Sequence, residues 1–372
     1  MNKNLNDQAF MAEALQLASK GLYTTRTNPR VGCVIVKDNV IIGRGYHVSP
    51  GNSHAEVLAL ESIADSEGAT AYVSLEPCSH HGNTPPCADA LVAAKVSRVV
   101  VAMTDPNPLV QGKGLKYLQN NGIEIDVGLL AMEAAELNKG FVKRMQSARP
   151  YVTVKSAISL DGKTAMKSGE SKWISCDQSR ADVQKLRVRR CAIMTGVDTV
   201  IADDPNLTVR ITRDELGIKS NFEQPIRVIL DTNLRISPNA KVLQNGEEVI
   251  IYTCVGNNDI STSLRNNNIE VMQVKKTRNH IDLDEVMKNL AGRGVNEVLI
   301  EAGSTLVGNI LEHKLVDEMI VYMAPHMMGN ANMGMANLDY IQNMQDRIEF
   351  DYCQIRKIGN DVKLQLKPKY IN

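Results

Sequence analysis

Two short stretches of the chain hold residues that could do hydrolytic metal chemistry. Ser53-His54-Ala55-Glu56 sets an imidazole two residues before a carboxylate. Glu76-Pro77-Cys78-Ser79-His80-His81-Gly82-Asn83-Thr84-Pro85-Pro86-Cys87 adds two thiols with eight residues between them. One His and two Cys supply three ligands, and three protein ligands with an open fourth position is the catalytic form of a zinc site. His54, Cys78 and Cys87 are the candidate ligands, with His80 and His81 as competing ones. Zinc lowers the pKa of its bound water and so makes a nucleophile near neutral pH. Glu56 is placed to carry a proton from that water to a leaving amine. A His-x-Glu followed by Pro-Cys and a second Cys is the zinc-deaminase pattern, in which the Glu is not a ligand. Here the cysteines are eight residues apart instead of two, which requires a loop between them. Cys78 follows a predicted strand and Cys87 opens a predicted helix, whose N-terminus favours thiolate. The same residues have a plainer reading, because Ser53-His54-Ala55-Glu56 also spells a capping box with Glu56 at the third helical position.

The rest of the chain carries weaker signals. Lys155-Ser156-Ala157-Ile158-Ser159-Leu160-Asp161-Gly162-Lys163 joins a strand to a turn, and Glu170-Ser171-Lys172-Trp173-Ile174 holds the only Trp. Asp203-Asp204-Pro205-Asn206-Leu207-Thr208-Val209-Arg210 is a polar turn leading to a basic residue. Ile300-Glu301-Ala302-Gly303-Ser304-Thr305-Leu306-Val307-Gly308-Asn309 runs from a strand through a Gly turn into a helix, where backbone N–H groups could cradle a phosphate. Gly-Ser-Thr before a helix is also an ordinary N-cap, and Arg187 and Arg210 also read as solvated charges. No GxGxxG follows the first strand of this half, so a common dinucleotide fingerprint is not indicated.

These residues need scaffolds to hold them. A helix over about 7–20 leads to the strand Val31–Val36, the turn Lys37-Asp38-Asn39 and a hairpin partner over 40–46. A helix over about 54–65, a strand over 71–75, a helix over 87–95 and a strand over 99–102 follow, then a helical 114–121 and a short extended 123–125. Strands alternating with helices imply a sheet covered by helices. Ser147-Ala148-Arg149-Pro150 reads as a linker, with Tyr151–Lys155 opening a second region. Its strands are expected near 191–195, 226–230, 248–252, 269–274, 297–301 and 318–323. The Asn- and Ser-rich 256–268 reads as surface loop.

Composition narrows the function class. The chain has 372 residues, enough for two domains, and its 42 Lys and Arg balance 42 Asp and Glu. Neutral charge and 4% aromatics argue against a nucleic-acid surface. No apolar run approaches the ~20 residues of a membrane span. The start lacks a secretory core, and seven thinly spread cysteines are not a disulfide framework, so a cytoplasmic protein with reduced thiols is expected.

Asn28-Pro29-Arg30-Val31-Gly32, His54-Ala55-Glu56 and the Cys78–Cys87 loop together resemble the deaminase half of the bifunctional riboflavin-biosynthesis deaminase–reductase family, the RibD type. The motifs of the second half recur in order in the reductase half of that family, so the resemblance spans essentially the whole chain. It implies a cytidine-deaminase-like α/β/α domain over 1–147 and a dihydrofolate-reductase-like α/β domain over 148–372. It implies one zinc per chain on His54, Cys78 and Cys87, with Glu56 as proton carrier and Asn28 and His47 holding the substrate. Position 83, often basic in the family, is Asn83 here. In the second half it implies NADPH against Ala157, Trp173, Thr199, Asp203, Thr232 and Gly303, Ser304, Thr305, Leu306, Val307, Gly308 and Asn309. Ser171, Arg187, Leu207, Arg210 and Glu301 would hold substrate, and Lys155 and Glu301 are the charged candidates to assist proton transfer. The implied reactions are deamination of 2,5-diamino-6-(5-phosphoribosylamino)pyrimidin-4-one and reduction of the product's ribosyl group to ribityl. The expected partners are these small molecules, with no nucleic acid and no membrane, and the expected assembly is a homo-oligomer.

Overall fold

The computed structural model describes residues 3–79, 85–108, 110–244, 246–256, 259–265, 268–330 and 332–370. They divide into two compact units, Met1–Ala148 with Gly217–Phe222, and Arg149–Leu216 with Glu223–Asn372. Among the described residues no helix is long and apolar enough to cross a membrane. None of the seven cysteines is in a disulfide.

The first unit is built on a five-stranded sheet of β1 (Gly32–Lys37), β2 (Val40–Tyr46), β3 (Thr70–Val73), β4 (Arg98–Val101) and β5 (Glu124–Val127), in the order β2-β1-β3-β4-β5. β1 runs antiparallel to both its neighbours, and β3, β4 and β5 are parallel. The β1–β2 hairpin turns on Asp38 and Asn39, both with positive φ, the backbone that matches strand twist. Residues alternate between two apolar layers. Cys33, Ile35, Val73, Val99 and Val101 face one, while Val34, Val36, Tyr72 and Val100 face the other. The first helix, Lys3–Ser19, begins before the expected residue 7 and buries Met11, Ala14, Leu17 and Ala18. The helix expected over 54–65 ends at Glu61. Gly45 sits under it, and a Cβ there would meet the Ala55 carbonyl at 2.1 Å. The missing side chain lets the helix that starts at Ala55 lie directly on β2.

The second unit adds β6 (Tyr151–Ile158), β7 (Lys163–Ala165), β8 (Ala192–Gly196), β9 (Ile226–Leu230), β10 (Val249–Thr253), β11 (Ile269–Gln273), β12 (Lys276–Thr277), β13 (His280–Ile281), β14 (Glu297–Ile300), β15 (Glu318–Met323), β16 (Met333–Gly334), β17 (Glu349–Ile358) and β18 (Asp361–Lys369). Nine of them form one sheet, β11-β10-β9-β8-β14-β6-β15-β18-β17, and β7–β16 and β12–β13 are separate pairs. From β11 to β15 the ladder is parallel, and β18 and β17 extend it antiparallel. β9, β10 and β14 are buried along their whole length, as strands covered by helices on both faces must be. Val154, Met194 and Val228 pack into one layer and Ile193, Ile229 and Leu299 into the other.

Two expectations change. Residues 256–268 include a short helix, Asp259–Leu264, on which Ser261 and Leu264 are buried. The β17–β18 hairpin was not anticipated, although Gly359-Asn360 is a two-residue turn between Ile358 and Asp361. β17 alternates poorly because it is the exposed edge of the sheet.

Candidate active sites

The first site forms where β3 ends and two short helices begin. His54 is the N-cap residue of the helix Ala55–Glu61, with extended backbone. Cys78 follows β3 after Ser74-Leu75-Glu76-Pro77, and Cys87 is the first residue of the helix Cys87–Ala93. The three ligand atoms lie within 4.8 Å of one another. His54 Nδ1 is 3.1 Å from Cys87 Sγ and 3.5 Å from Cys78 Sγ. Zinc–ligand bond lengths and tetrahedral angles require separations of roughly 3.4–3.8 Å. The set is therefore close to a zinc geometry, and its N and S donors suit that metal. Asn83, His80 and His81 lie outside the described residues.

The electrostatics of the cluster fit the same chemistry. The Cys78 thiol is lowered, first by the hydrogen bond from Cys87 and then by His54, while Cys87 is raised because it supplies that proton. The two thiols share a proton that a metal ion would replace. Glu56 is buried, and burial followed by the Cys78 charge raises its carboxyl to about 7. Its side chain is hydrogen-bonded to Cys87. A carboxyl with that value beside the ligands can both take and give a proton near neutral pH. The capping-box alternative is not realised: the N-cap is His54 rather than Ser53, and no side chain caps this helix.

Asn28 and His47 stand beside this centre. Asn28 Nδ2 donates to His47 Nε2 at 3.0 Å, and His47 Nδ1 faces the Ser53 carbonyl at 3.4 Å. The His47 and His54 rings meet edge to face, with centroids 5.6 Å apart. Burial lowers the His47 pKa, which favours the neutral ring.

A further residue of the Glu76–Cys87 motif holds this site together. Glu76 is buried, and its carboxylate accepts from the backbone N–H groups of Asp105, Gly112, Gly114 and Leu115 at 3.0–3.5 Å. Those bonds tie the 105–115 segment to the strand end that carries Cys78. A glutamate between an apolar strand and Pro-Cys, where an apolar residue would continue the strand, was the available signal.

The second site lies at the C-terminal ends of parallel strands, where open α/β sheets place their ligand crevices. A cavity of about 910 Å³ opens there. Lys155 of β6 and Glu301, just after β14, contribute the charges on its floor, together with Arg187 from the helix Asp177–Val188. Arg187 grips Glu301 bidentately, Nε to Oε1 at 2.6 Å and a terminal nitrogen to Oε2 at 3.0 Å, and donates to the Thr208 carbonyl at 2.9 Å. Lys155 Nζ is 3.9 Å from Glu301 Oε2. Burial alone would raise Glu301, but Arg187, then Lys155 and Arg210, hold its carboxyl down to about 2. Burial lowers the Lys155 amine, with Arg187 adding to the effect and Glu301 opposing it.

The other expected contacts divide. Ser171 and Leu207 line the cavity, as do Ala157, Trp173, Thr199, Asp203 and Thr232. Gly303, Ser304, Thr305, Leu306 and Asn309 line it from the start of the helix Ser304–Glu312. Val307 and Gly308 do not. Val307 is fully buried in the core, and a Cβ on Gly308 would meet the Asn337 carbonyl at 1.9 Å. Val307 lies on the side of the helix opposite Thr305 and Asn309, and the Asn337 backbone covers Gly308. Arg210 is exposed and outside the lining, and only its charge reaches Glu301. Trp173 is 67% exposed at the cavity, with the Arg180 guanidinium 4.4 Å over its ring. Arg180 and the Asp198–Arg235 pair belong to the lining and were not singled out in the sequence. Nothing in their local sequence separates them from surface charges.

Both halves of the chain match known families. Residues 4–103 match the family described as cytidine and deoxycytidylate deaminase zinc-binding region, and residues 150–364 match the RibD C-terminal domain. The chain is similar to the riboflavin biosynthesis protein RibD of Escherichia coli, 46% identical with 97% of this chain and 99% of that one covered. The RibD of Haemophilus influenzae is 43% identical, with 98% of each chain covered. Among solved structures, Acinetobacter baumannii RibD superposes with a TM-score of 0.92 at 44% identity, covering 99% of this chain and 100% of that one. The diaminohydroxyphosphoribosylaminopyrimidine deaminase/5-amino-6-(5-phosphoribosylamino)uracil reductase of Thermotoga maritima superposes with a TM-score of 0.87 at 31% identity, covering 99% of this chain and 100% of that one.

Proposed function

The chain belongs to the RibD family, bifunctional riboflavin-biosynthesis enzymes with a deaminase half and a pyrimidine reductase half, and from that premise we propose which residues carry each step. Residues 1–147 are the deaminase domain and 148–372 the reductase domain. The deaminase acts on 2,5-diamino-6-(5-phosphoribosylamino)pyrimidin-4-one and the reductase on its product, 5-amino-6-(5-phosphoribosylamino)uracil. The observation that carries the reading is the meeting of His54, Cys78 and Cys87 within 4.8 Å, with a buried Glu56 in hydrogen-bond contact.

In the deaminase, His54, Cys78 and Cys87 hold one zinc ion. When bound, zinc supplies a nucleophilic water near neutral pH. Glu56 takes a proton from the attacking water and returns it to the departing amine. Its burial keeps it able to do both. Asn28 and neutral His47 orient the pyrimidine. In the reductase, NADPH binds along Thr199, Thr232, Trp173 and the Gly303–Leu306 turn, with Ala157, Asp203 and Asn309 completing its bed. When bound, it supplies the hydride. Lys155 and Arg187 outnumber the one carboxylate between them, and the Arg210 charge adds to theirs from outside the lining, so the floor of the cavity is cationic and suits the ribose phosphate, with Ser171 and Leu207 beside it. Lys155, whose amine burial has made a better proton donor, protonates the ring oxygen as the ribose opens, and Glu301 keeps Lys155 and Arg187 in place.

The test is one incubation of zinc-loaded protein with the diaminopyrimidine phosphate, with and without NADPH, followed by mass spectrometry. Without NADPH an amine is replaced by oxygen. Two hydrogens are added only when NADPH is present. Hydrogen addition without prior deamination, or no reaction at all, overturns the assignment.

A further inference from the structure

Arg187 reaches the reductase cavity from the helix Asp177–Val188, so the aim of its guanidinium depends on how that helix sits against the sheet. We propose that Asp182 and Lys363, which take no part in the steps above, are positioning residues of the reductase. Their ion pair fixes the roll of this helix about its own axis and so aims Arg187. The proposal rests on the reading of the 910 Å³ cavity as the reductase site, with Arg187 on the ribose phosphate.

Helix geometry carries it. Ser179, Val183 and Leu186 are buried and form the stripe that faces the sheet. At 3.6 residues per turn, Asp182 falls about 70° to one side of that stripe and Arg187 about 70° to the other. Burial of the stripe opposes lifting the helix but is non-directional, so it sets the roll only weakly. The charged contacts on the two flanks are directional. On one flank Arg187 grips Glu301, just after β14, with two hydrogen bonds. On the other, Asp182 Oδ2 accepts from Lys363 Nζ at 2.6 Å and from the Tyr322 hydroxyl at 2.5 Å, and Oδ1 accepts from Arg356 at 3.0 Å. Tyr322 of β15 and Lys363 of β18 are opposite each other in the ladder, and the ammonium stands 5.5 Å over the ring. In the sheet order β14-β6-β15-β18 the two anchors lie on opposite sides of β6, the strand that carries Lys155. The Lys363 side chain is 8% exposed and that of Asp182 17%. A pair so little exposed to water holds its geometry where a surface pair does not, and removing one partner leaves the other uncompensated. A further contact fixes the helix end without setting its roll. Buried Asp361 accepts from the Cys176 N–H at 2.8 Å and from the Ser179 hydroxyl at 2.6 Å, on the stripe itself.

The test is steady-state reduction of 5-amino-6-(5-phosphoribosylamino)uracil by the full-length protein at saturating NADPH. Lys363→Met keeps the length of the side chain and removes its charge. KM should rise roughly tenfold while kcat stays within about threefold, the pattern of a misaimed group that binds a non-reacting part of the substrate. The NADPH dissociation constant, read by calorimetry, should stay near the wild-type value. Lys363→Arg, which restores the charge, should recover most of the lost affinity. Tyr322→Phe removes only a hydroxyl and should give a smaller rise in KM, and it carries the test if Lys363→Met does not fold. Asp361→Asn weakens the start of the same helix, so it should lower the unfolding midpoint and leave KM close to wild type. An unchanged KM in folded Lys363→Met, or in Tyr322→Phe where the first variant does not fold, overturns the proposal. So does an equal rise of KM in Asp361→Asn, or a parallel rise of KM and the NADPH dissociation constant in Lys363→Met, because either marks general loosening. In each of those cases wild-type protein still reduces substrate and the reductase reading stands. If wild-type protein reduces nothing with NADPH, that reading fails and the proposal falls with it.

Discussion

The two sites concentrate their chemistry differently. In the first unit three side chains and one carboxyl converge within a few ångströms, each fixed at the boundary of a short element. In the second unit the work is spread along a 910 Å³ cavity floored by an Arg–Glu–Lys cluster and walled by loops from several strand ends. A compact site should fail completely when one ligand is lost. A distributed site should weaken by degrees. The largest effect that would break this contrast is expected at Cys87. Cys87→Ser should lose zinc, read by metal analysis, and deamination should fall to background. Reduction of the already deaminated substrate should continue. Full metal content in that variant would remove Cys87 from the ligand set.

The next effect separates the metal from the proton carrier. Glu56→Gln keeps the size of the side chain but cannot shuttle a proton. Deamination should fall about 10²–10⁴-fold while zinc content and the reductase rate stay at wild-type values. A parallel fall in both half-reactions would mean that the sites are not independent.

The contrast also explains what could be read in the sequence. The His54, Cys78 and Cys87 set was legible because metal ligation constrains residue type at each position, and the structure brings the three together. The sheet orders were partly legible, because parallel strands buried on both faces, such as Ile226–Leu230, are continuous apolar runs. β17 was not, because an exposed edge strand has neither a continuous run nor a clean alternation. The Arg235–Asp198 pair was not legible either, since its partners are 37 residues apart and each looks like a surface charge. The same limit applies to Val307 and Gly308. A family motif names a segment, but helix phase and the neighbouring backbone packed on it decide which of its residues reach the cavity.

The cluster on the cavity floor should reveal itself in stability. Glu301 is held at about 2 by Arg187 and its neighbours against an ordinary carboxyl value near 4.5. A group lowered in the folded state contributes stability above its unfolded value, and that contribution is lost as pH falls through the folded one. Glu301→Gln should therefore destabilise the second unit by roughly 3 kcal/mol at neutral pH, the cost of breaking a buried pair. The gap from wild type, followed by denaturant unfolding, should narrow between about pH 4.5 and pH 2. A gap that does not depend on pH would mean that Glu301 matters for packing and not for charge.

A milder effect is expected at Gly303. Its φ is unstrained, and a Cβ would meet only Thr199 Oγ1, at 3.9 Å. Gly303→Val should fold normally and fill space at the start of the helix. The NADPH dissociation constant should rise about tenfold, as expected for the loss of roughly one good contact. Unchanged NADPH binding by the folded variant would move the phosphates away from this turn.

The smallest effect tests the plain reading of the first site. If Ser53 and Glu56 formed a capping box, Ser53→Ala would cost about 1 kcal/mol of stability. In the structure His54 is the N-cap and no side chain caps the helix Ala55–Glu61. The contact that His47 makes with residue 53 is to its backbone carbonyl, which alanine keeps. Ser53→Ala should thus change unfolding free energy by less than about 0.5 kcal/mol, as surface changes away from special features do, and leave zinc content and deamination intact. Paired with Glu56→Gln, the variant divides the two readings cleanly. A capping pair would lose stability on either substitution and keep its chemistry. A catalytic carboxyl loses its chemistry on one of them and nothing on the other, because the proton moves through Glu56 and the start of the helix is set by the extended backbone of His54.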